Sequence, residues 1–454
     1  MSGRILPPKP TARAEKVSVW GYIKLFRQDI LSAHPARLYR AKMAEFRTPF
    51  FTSYLVNEPP LWKLVLNERP QDFPKSERMR AGLEPVMGNS LFVSNGADWE
   101  RQRRIIDPAF EGGRLRDSFP AMLAAARAAV TRLGEGGRVE VEERMSHAAA
   151  DVIFRALFSV PIGDGEASAV FHAFRAHQGT QPLLNLAGFL PLPRWFPRFH
   201  RRSTLKHARR IRALITTMTE RRAAEIGAGT APDDLATKIM TTADPQTGER
   251  FNTGEMVDQV ATFFLAGHET SASALAWTLY LIALDPELQA RLAAEANVVL
   301  GDSPQFGAVS RLRLARDVFR EALRLYPPLP MLVRQAARPE CFRKRDVKPG
   351  AQIVVSPWHL GRHENLWSDP DAFCPARWQT PEGKAAARDG FIPFSSGPRA
   401  CSGAGFAMIE GPLLLAMLAQ RFTFAPVAGQ EPVPVAFLTV RARDGIWLDV
   451  SPRG

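Results

Sequence analysis

Near the C-terminus of this 454-residue chain a cysteine follows an arginine by two positions, in a glycine-rich loop at the start of a helical stretch. The loop reads Phe394, Ser395, Ser396, Gly397, Pro398, Arg399, Ala400, Cys401, Ser402, Gly403. Gly397 and Gly403 allow a tight turn and close backbone approach. The stretch from Ala404 to Phe422 reads as a helix, so its free amides and dipole face Cys401 and favour a negative sulfur. A thiolate presented in this way suits an axial ligand of haem iron, where it donates electron density and favours O–O cleavage.

A second group of chemically able residues interrupts an apolar run. Thr253 to Leu284 reads as one long helix with Thr253 as its cap, and Asp285-Pro286 opens the next. Val260 to Gly267 is apolar on every side, the mark of a buried helix. His268, Glu269, Thr270 and Ser271 then enter the same helix. A mid-helix glycine costs about 1 kcal/mol against alanine, and buried polar groups cost more unless they are partnered. A purely structural helix has no use for this run. Elsewhere, Trp99 and Arg103 fall on one helix face at i and i+4, and Glu321 and Arg324 at i and i+3.

The spaced residues Phe394, Gly397, Arg399, Cys401 and Gly403, with Phe406 and Ala407 behind them, resemble the signature of the cytochrome P450 haem-thiolate monooxygenases. The resemblance implies Cys401 as iron ligand and haem b as cofactor. Trp99, Arg103, Arg334 and Arg399 would contact its propionates, with His359 as a weaker candidate. Ala266-Gly267-His268-Glu269-Thr270 is similar to the family's oxygen-binding groove. There Ala266 and Gly267 would leave room for dioxygen, and Thr270 and Glu269 would hold and relay protons. His268 is given no chemical role. Glu321 and Arg324, joined by Arg377 from Phe373-Cys374-Pro375-Ala376-Arg377-Trp378, would form a structural triad that fixes the cysteine loop. The resemblance also suggests Leu83, Phe92, Leu184, Leu186, Phe264, Met331, Leu332 and Phe437 as substrate-lining. These are apolar, which favours a lipophilic molecule.

Around these residues the chain must supply a scaffold. Phe50 to Leu55 reads as extended, Phe73 to Phe92 as a long irregular loop, and residues 110 to 240 as mostly helical. Gln181 to Pro191 reads as an apolar loop broken by Pro and Gly, either packed on the core or, as the resemblance implies, at the substrate entrance. Val347 to Gly350 turns into a strand over Ala351 to Ser356. Asp444-Gly445 suggests a hairpin between Leu438-Thr439-Val440 and Ile446-Trp447-Leu448, and Pro412 should kink the helix behind Cys401. Length alone would allow three domains, but the resemblance implies a mainly α fold: one large helical domain with small peripheral β-sheets over 49–454, entered by an N-terminal segment 1–48.

Three cysteines with no CxxC pair exclude a disulfide framework. No long apolar run follows the Pro- and Arg-rich N-terminus, so a soluble cytoplasmic protein without a membrane anchor is expected. The net charge of +13 is scattered without interleaved aromatics, which argues against nucleic acid. Arg101 and Arg104 are the exception, because the resemblance puts their helix near the proximal haem face, where they would suit an acidic electron-transfer partner. The resulting expectation is a monomeric monooxygenase. It would use O2 and draw on NAD(P)H through a separate reductase and a ferredoxin or flavodoxin. A peroxide-driven peroxygenase, an isomerase and a non-catalytic haem-binding module are the alternatives.

Overall fold

The computed structural model describes residues 4–47, 51–111, 113–180, 200–301 and 303–453. The helices that build the core and the site are α1 (Glu77–Met87), α2 (Gly96–Ile106), α3 (Phe119–Leu133), α4 (Val141–Phe158), α5 (Gly165–Thr180), α6 (Arg202–Gly227), α7 (Thr253–Ala283), α8 (Pro286–Leu300), α9 (Arg313–Leu325) and α10 (Ala404–Arg421). The strands that matter here are β1 (Met43–Arg47), β2 (Thr52–Val56), β3 (Gly137–Glu140), β4 (Leu332–Gln335), β5 (Gln352–Val355), β6 (Phe422–Pro426), β7 (Pro434–Ala436), β8 (Val440–Ala442) and β9 (Trp447–Pro452).

Helix α7 is the axis of the molecule. It is capped one residue earlier than expected, at Asn252. The Asn252 side chain accepts from the Glu255 amide (2.9 Å), and the Glu255 carboxylate accepts from the Asn252 amide (2.9 Å). This reciprocal box satisfies two amides that a helix start leaves open. Helices α1, α4, α6, α9 and α10 all pack on α7, and every residue from Ser271 to Ala283 is buried. At the far end Asp285 caps α8 through the Leu288 amide, as expected.

Two glycines set how closely the helices approach. A Cβ on Gly411 of α10 would stand 2.3 Å from the Phe319 ring of α9. A Cβ on Gly267 of α7 would stand 2.6 Å from Ile153 of α4. Gly267 therefore lets α4 approach α7 closely, at the position expected to leave room for dioxygen.

Several segments depart from expectation. The Phe73–Phe92 stretch is not an irregular loop but carries α1, capped by Ser76; Pro85 sits in its last turns, where losing one amide bond is tolerated. Pro412 lies inside α10, which still runs as one assigned helix from Ala404 to Arg421. Asp444-Gly445 does not close a hairpin, because β9 pairs with β3 and β6, not with β8. The hairpin is formed by β7 and β8, with Val440 opposite Ala436, so that Phe437, Leu438 and Thr439 form its turn. The four-stranded sheet has the order β1-β2-β5-β4, and β2 runs parallel to β5 with Ser53 opposite Gln352.

The described part of segment 1–48 is no mere lead-in. Leu31, Ala33 and Leu38 are buried. The Tyr326 hydroxyl donates to the Pro8 carbonyl (2.6 Å), and the Phe373 amide donates to that of Ile5 (3.0 Å). Among the described residues no helix is long and apolar enough to cross a membrane.

Replacing Gly411 by alanine should destabilise the protein by about 1–2 kcal/mol. The overpacking cost against Phe319 exceeds the roughly 1 kcal/mol that alanine returns in helix propensity. Denaturant unfolding of Gly411→Ala, and its relief in a double variant with Phe319→Leu, measures this.

Candidate active site

The cysteine loop is closed by its own backbone. The Cys401 amide donates to the Phe394 carbonyl (2.9 Å), and the Ala400 amide to the Gly397 carbonyl (3.0 Å). Gly397 has φ +70°, and a Cβ there would fall 2.1 Å from the Leu66 carbonyl, so both conformation and space demand glycine. Gly403, by contrast, has the ordinary φ of −85° and is the residue from which α10 starts. The protein packed around the Cys401 sulfur pushes the thiol pKa up, while the Gly403 amide and Arg103 pull the other way.

Arg103 from α2 holds this loop. Its guanidinium donates to the Ala400 carbonyl (2.9 Å) and the Ser402 hydroxyl (2.8 Å), and it pairs with Asp107 at 2.7 Å. Trp99 does not pair with Arg103. Its ring lies under the Arg399 guanidinium, 4.2 Å from the ring centroid.

The cations that remain form a cluster without an ion-pair partner among the described residues, although the charge of Glu100 is felt by Arg399. Lys75 and Arg334 face each other across an isolated antiparallel bridge. Burial drives the Lys75 pKa well below its usual value, and Arg399, Arg334 and Arg103 push it the same way. Burial, with Arg399 beside it, lowers Arg334 to about 10. Arg399 keeps a buried Nη1 with no hydrogen-bond partner. Among the described residues no carboxylate pairs with Lys75, Arg334 or Arg399. Buried cations are costly unless an anion meets them, and this set fits the two propionates of haem b beside Cys401. Lys75 was missed in the sequence because a lone lysine after Phe-Pro carries no signal; only the bridge to Arg334 reveals it. His359 lies elsewhere, a correction to its expected place. It is buried against His34 and Tyr39 and bonded to Ser356 at 2.8 Å, and burial drives it well below its usual pKa.

The triad is present and fully internal. The Glu321 carboxylate meets Arg324 at 2.8 and 3.0 Å, Arg377 Nε at 2.9 Å and the Cys374 amide at 3.0 Å. Burial alone would raise its pKa, but the two guanidinia and the amide hold it below the usual value. Both arginines spend their other donors on carbonyls of the 361–372 segment, including Gly361, Pro370 and Ala372. Among the described residues no hydrogen bond of theirs reaches the cysteine loop, which instead rests on Arg103 and on the close approach to Leu66.

On α7, from Gln259 to Ala283, the residues that are not fully buried are Phe263, Ala266, Gly267 and Thr270. Their spacing makes one stripe on an otherwise enclosed helix. The Thr270 hydroxyl donates to the Ala266 carbonyl at 2.5 Å. Glu269 points away from Thr270, to Thr439, Arg441 and Gln178. Just beyond, Ser271 donates to Glu410 of α10 at 2.8 Å, and burial pushes the Glu410 pKa up to about 8.

The expected lining residues divide. Leu83, Phe92 and Met331 are half-buried, and Lys75 Nζ stands 6.0 Å above the Phe92 ring. Phe264 is enclosed by Phe154, Phe174 and His268, at centroid distances of 4.9, 4.5 and 4.7 Å, so it is core. The half-open residue is its neighbour Phe263. Leu332 is buried in the cluster around the four-stranded sheet, and Phe437 is exposed at the hairpin turn. Leu184 and Leu186, with the rest of Gln181 to Pro191, lie outside the described residues. Arg101 pairs with Glu255 (2.7 Å) and Arg104 with Asp244 (2.6 Å), so both arginines expected to face a partner also carry ion pairs within the chain.

With this geometry the comparisons agree. The cytochrome P450 family model matches residues 17–444. The chain is 32% identical over 446 residues to the cyclooctat-9-en-7-ol 5-monooxygenase of Streptomyces melanosporofaciens, covering 94% of both chains. It is 31% identical to the pentalenene oxygenase of Streptomyces avermitilis, covering 89% of this chain and 88% of that one. The crystal structure of the cytochrome P450DA heme domain has the same fold, with a TM-score of 0.81 at 24% identity and 99% of both chains covered. The chain belongs to the cytochrome P450 family; it is a haem-iron monooxygenase of the hydroxylating kind.

Two expectations follow. Arg334→Met should speed haem loss roughly 10- to 100-fold, since a charge-assisted bond contributes about 1.5–3 kcal/mol; transfer of haem to apomyoglobin measures it. Glu410 has a folded pKa of about 8 against 4.5 unfolded. The native state therefore binds more protons between these values, and stability falls as pH rises through that window. Thermal unfolding of Glu410→Gln between pH 5 and pH 8 should lose that part of the slope.

Proposed function

We propose that this enzyme hydroxylates a cyclic, alkene-containing lipophilic molecule of terpenoid type, with electrons from NAD(P)H delivered through a separate reductase and a ferredoxin- or flavodoxin-like carrier. The observation that carries the substrate class is the pair of relatives above 30% identity over nearly the whole chain, named for cyclooctat-9-en-7-ol and pentalenene. The half-buried apolar residues Leu83, Phe92, Phe263 and Met331 support it, because they offer contact area and few hydrogen bonds.

Haem iron bound by a thiolate supplies the activation of dioxygen. The chain's own residues then do the rest. Cys401 would hold the iron, and Lys75, Arg334 and Arg399 would take the carboxylates of the macrocycle. Trp99 stacks on Arg399 and keeps its guanidinium in place. Ala266 and Thr270 present the open stripe of α7, where the Thr270 hydroxyl would exchange its bond to the Ala266 carbonyl for one to water in the groove and so hold a proton at its Oγ1. Glu269 is the acid nearest to that hydroxyl in the chain. The protein is expected to act as a cytoplasmic monomer.

The test is a Soret titration of the ferric holoprotein with pentalenene, a cyclic terpenoid alcohol, a fatty acid and a steroid. A high-spin shift with the terpenoids alone supports the substrate class, and a shift with the fatty acid or steroid alone overturns it. Turnover should require NADPH, ferredoxin and reductase. Faster turnover with peroxide alone would instead favour a peroxygenase.

A further inference from the structure

Glu269 is held by two other elements at once. Its Oε1 accepts from the Thr439 hydroxyl at 2.6 Å and pairs with the Arg441 guanidinium, both contributed by the β7–β8 hairpin. Its Oε2 accepts from the Gln178 amide of α5 at 3.0 Å. The hairpin is itself fastened to α7, because the Ser273 hydroxyl donates to the Val440 carbonyl, and to the segment behind α9, because the Val440 amide donates to the Pro328 carbonyl.

The Glu269 side chain is 9% exposed and that of Arg441 is 32% exposed, so the guanidinium links a buried carboxylate to the protein's edge. The charge of Arg441 also reaches half-buried Glu142 of α4, whose pKa burial pushes up to about 7 against that pull. Thr270 shares no hydrogen bond with Glu269, although the two are adjacent in sequence. Neither α7 nor its groove therefore decides where this acid stands.

We propose that Arg441 and Gln178 are positioning residues, which hold the Glu269 carboxylate on the hairpin and α5 and withhold it from the Thr270 side of α7. The acid's position then depends on the seating of α5 and of the hairpin, both outside the oxygen groove. This rests on the monooxygenase reading for its consequence in turnover, but the junction itself does not.

Arg441→Met and Gln178→Leu are compared with the parent and with Arg441→Lys, which keeps the charge. Hydrogen exchange in the holoprotein is the readout independent of activity. Arg441→Met should speed exchange in both the hairpin and the last turns of α5, and Arg441→Lys should largely restore it. Faster exchange confined to the hairpin, or no change in either element, overturns the junction. In the substrate-free reaction with NADPH and redox partners, Arg441→Met should raise peroxide formation about fivefold, as a released acid supplies protons without substrate. An unchanged or lower rate, with an intact reduced carbon-monoxide spectrum, overturns the withholding role. A parent that oxidises no NADPH with any partner counts against the monooxygenase reading instead, and the exchange experiment still decides the junction. Should Arg441→Met fail to fold, Gln178→Leu carries the same two measurements.

Discussion

Positive charge drawn out of water without an ion-pair partner is the constraint around which this molecule is arranged. Lys75, Arg334 and Arg399 come from three separate stretches of chain, and no carboxylate among the described residues forms an ion pair with them. Left alone they would repel one another in a medium that screens poorly. The surrounding structure nevertheless spends specific contacts on keeping them there: the bridge that sets Lys75 against Arg334, and the Trp99 ring under Arg399. An arrangement that is costly by itself becomes favourable when a ligand brings two carboxylates. Cofactor binding and folding stability are therefore coupled through the same groups.

The Glu321 triad solves the opposite problem. Its carboxylate has more positive partners than it needs, and the surplus donors of Arg324 and Arg377 gather carbonyls from a segment without regular structure. Removing one partner of such a buried set costs about 3–5 kcal/mol, because a stranded charge remains. The cysteine loop is secured separately, by Arg103 and by the contact of Gly397 with Leu66. Two independent fastenings let the segment before the loop and the loop itself be rigid for different reasons.

The parts of the fold and site that could be read from the sequence are those encoded locally. The cysteine loop, the long buried helix, the Asp285 cap and the Glu321–Arg324 pair all depend on spacings within a few residues. What stayed hidden depends on contacts across the chain. Lys75 matters only because Arg334 stands beside it. Phe264 and Phe263 are indistinguishable until the packing of α4 and α5 shows which one is enclosed. The α1 helix was obscured by Pro85 and two glycines, whose turn signals are real but fall at its end and on an exposed face. Asp444-Gly445 is a genuine tight turn; which strand β9 would choose as partner is decided by β3 and β6, far away in sequence. The ion pairs of Arg101 and Arg104 were hidden because Glu255 and Asp244 lie about 150 residues further on.

The parallel register of β2 on β5 has a bearing on how the protein is made. Ser53 lies opposite Gln352, so the inner edge of β2 is without its partner until nearly three hundred further residues have been synthesised. At roughly 5–20 residues per second that interval is on the order of 15–60 s. For that time β1 and β2 are a two-stranded ribbon with an open edge, the kind of surface that pairs with other chains. Cys401 emerges later still, so the iron ligand joins a scaffold whose first sheet has only just closed. The yield of active enzyme in a cell therefore depends on protecting one early edge as much as on cofactor supply.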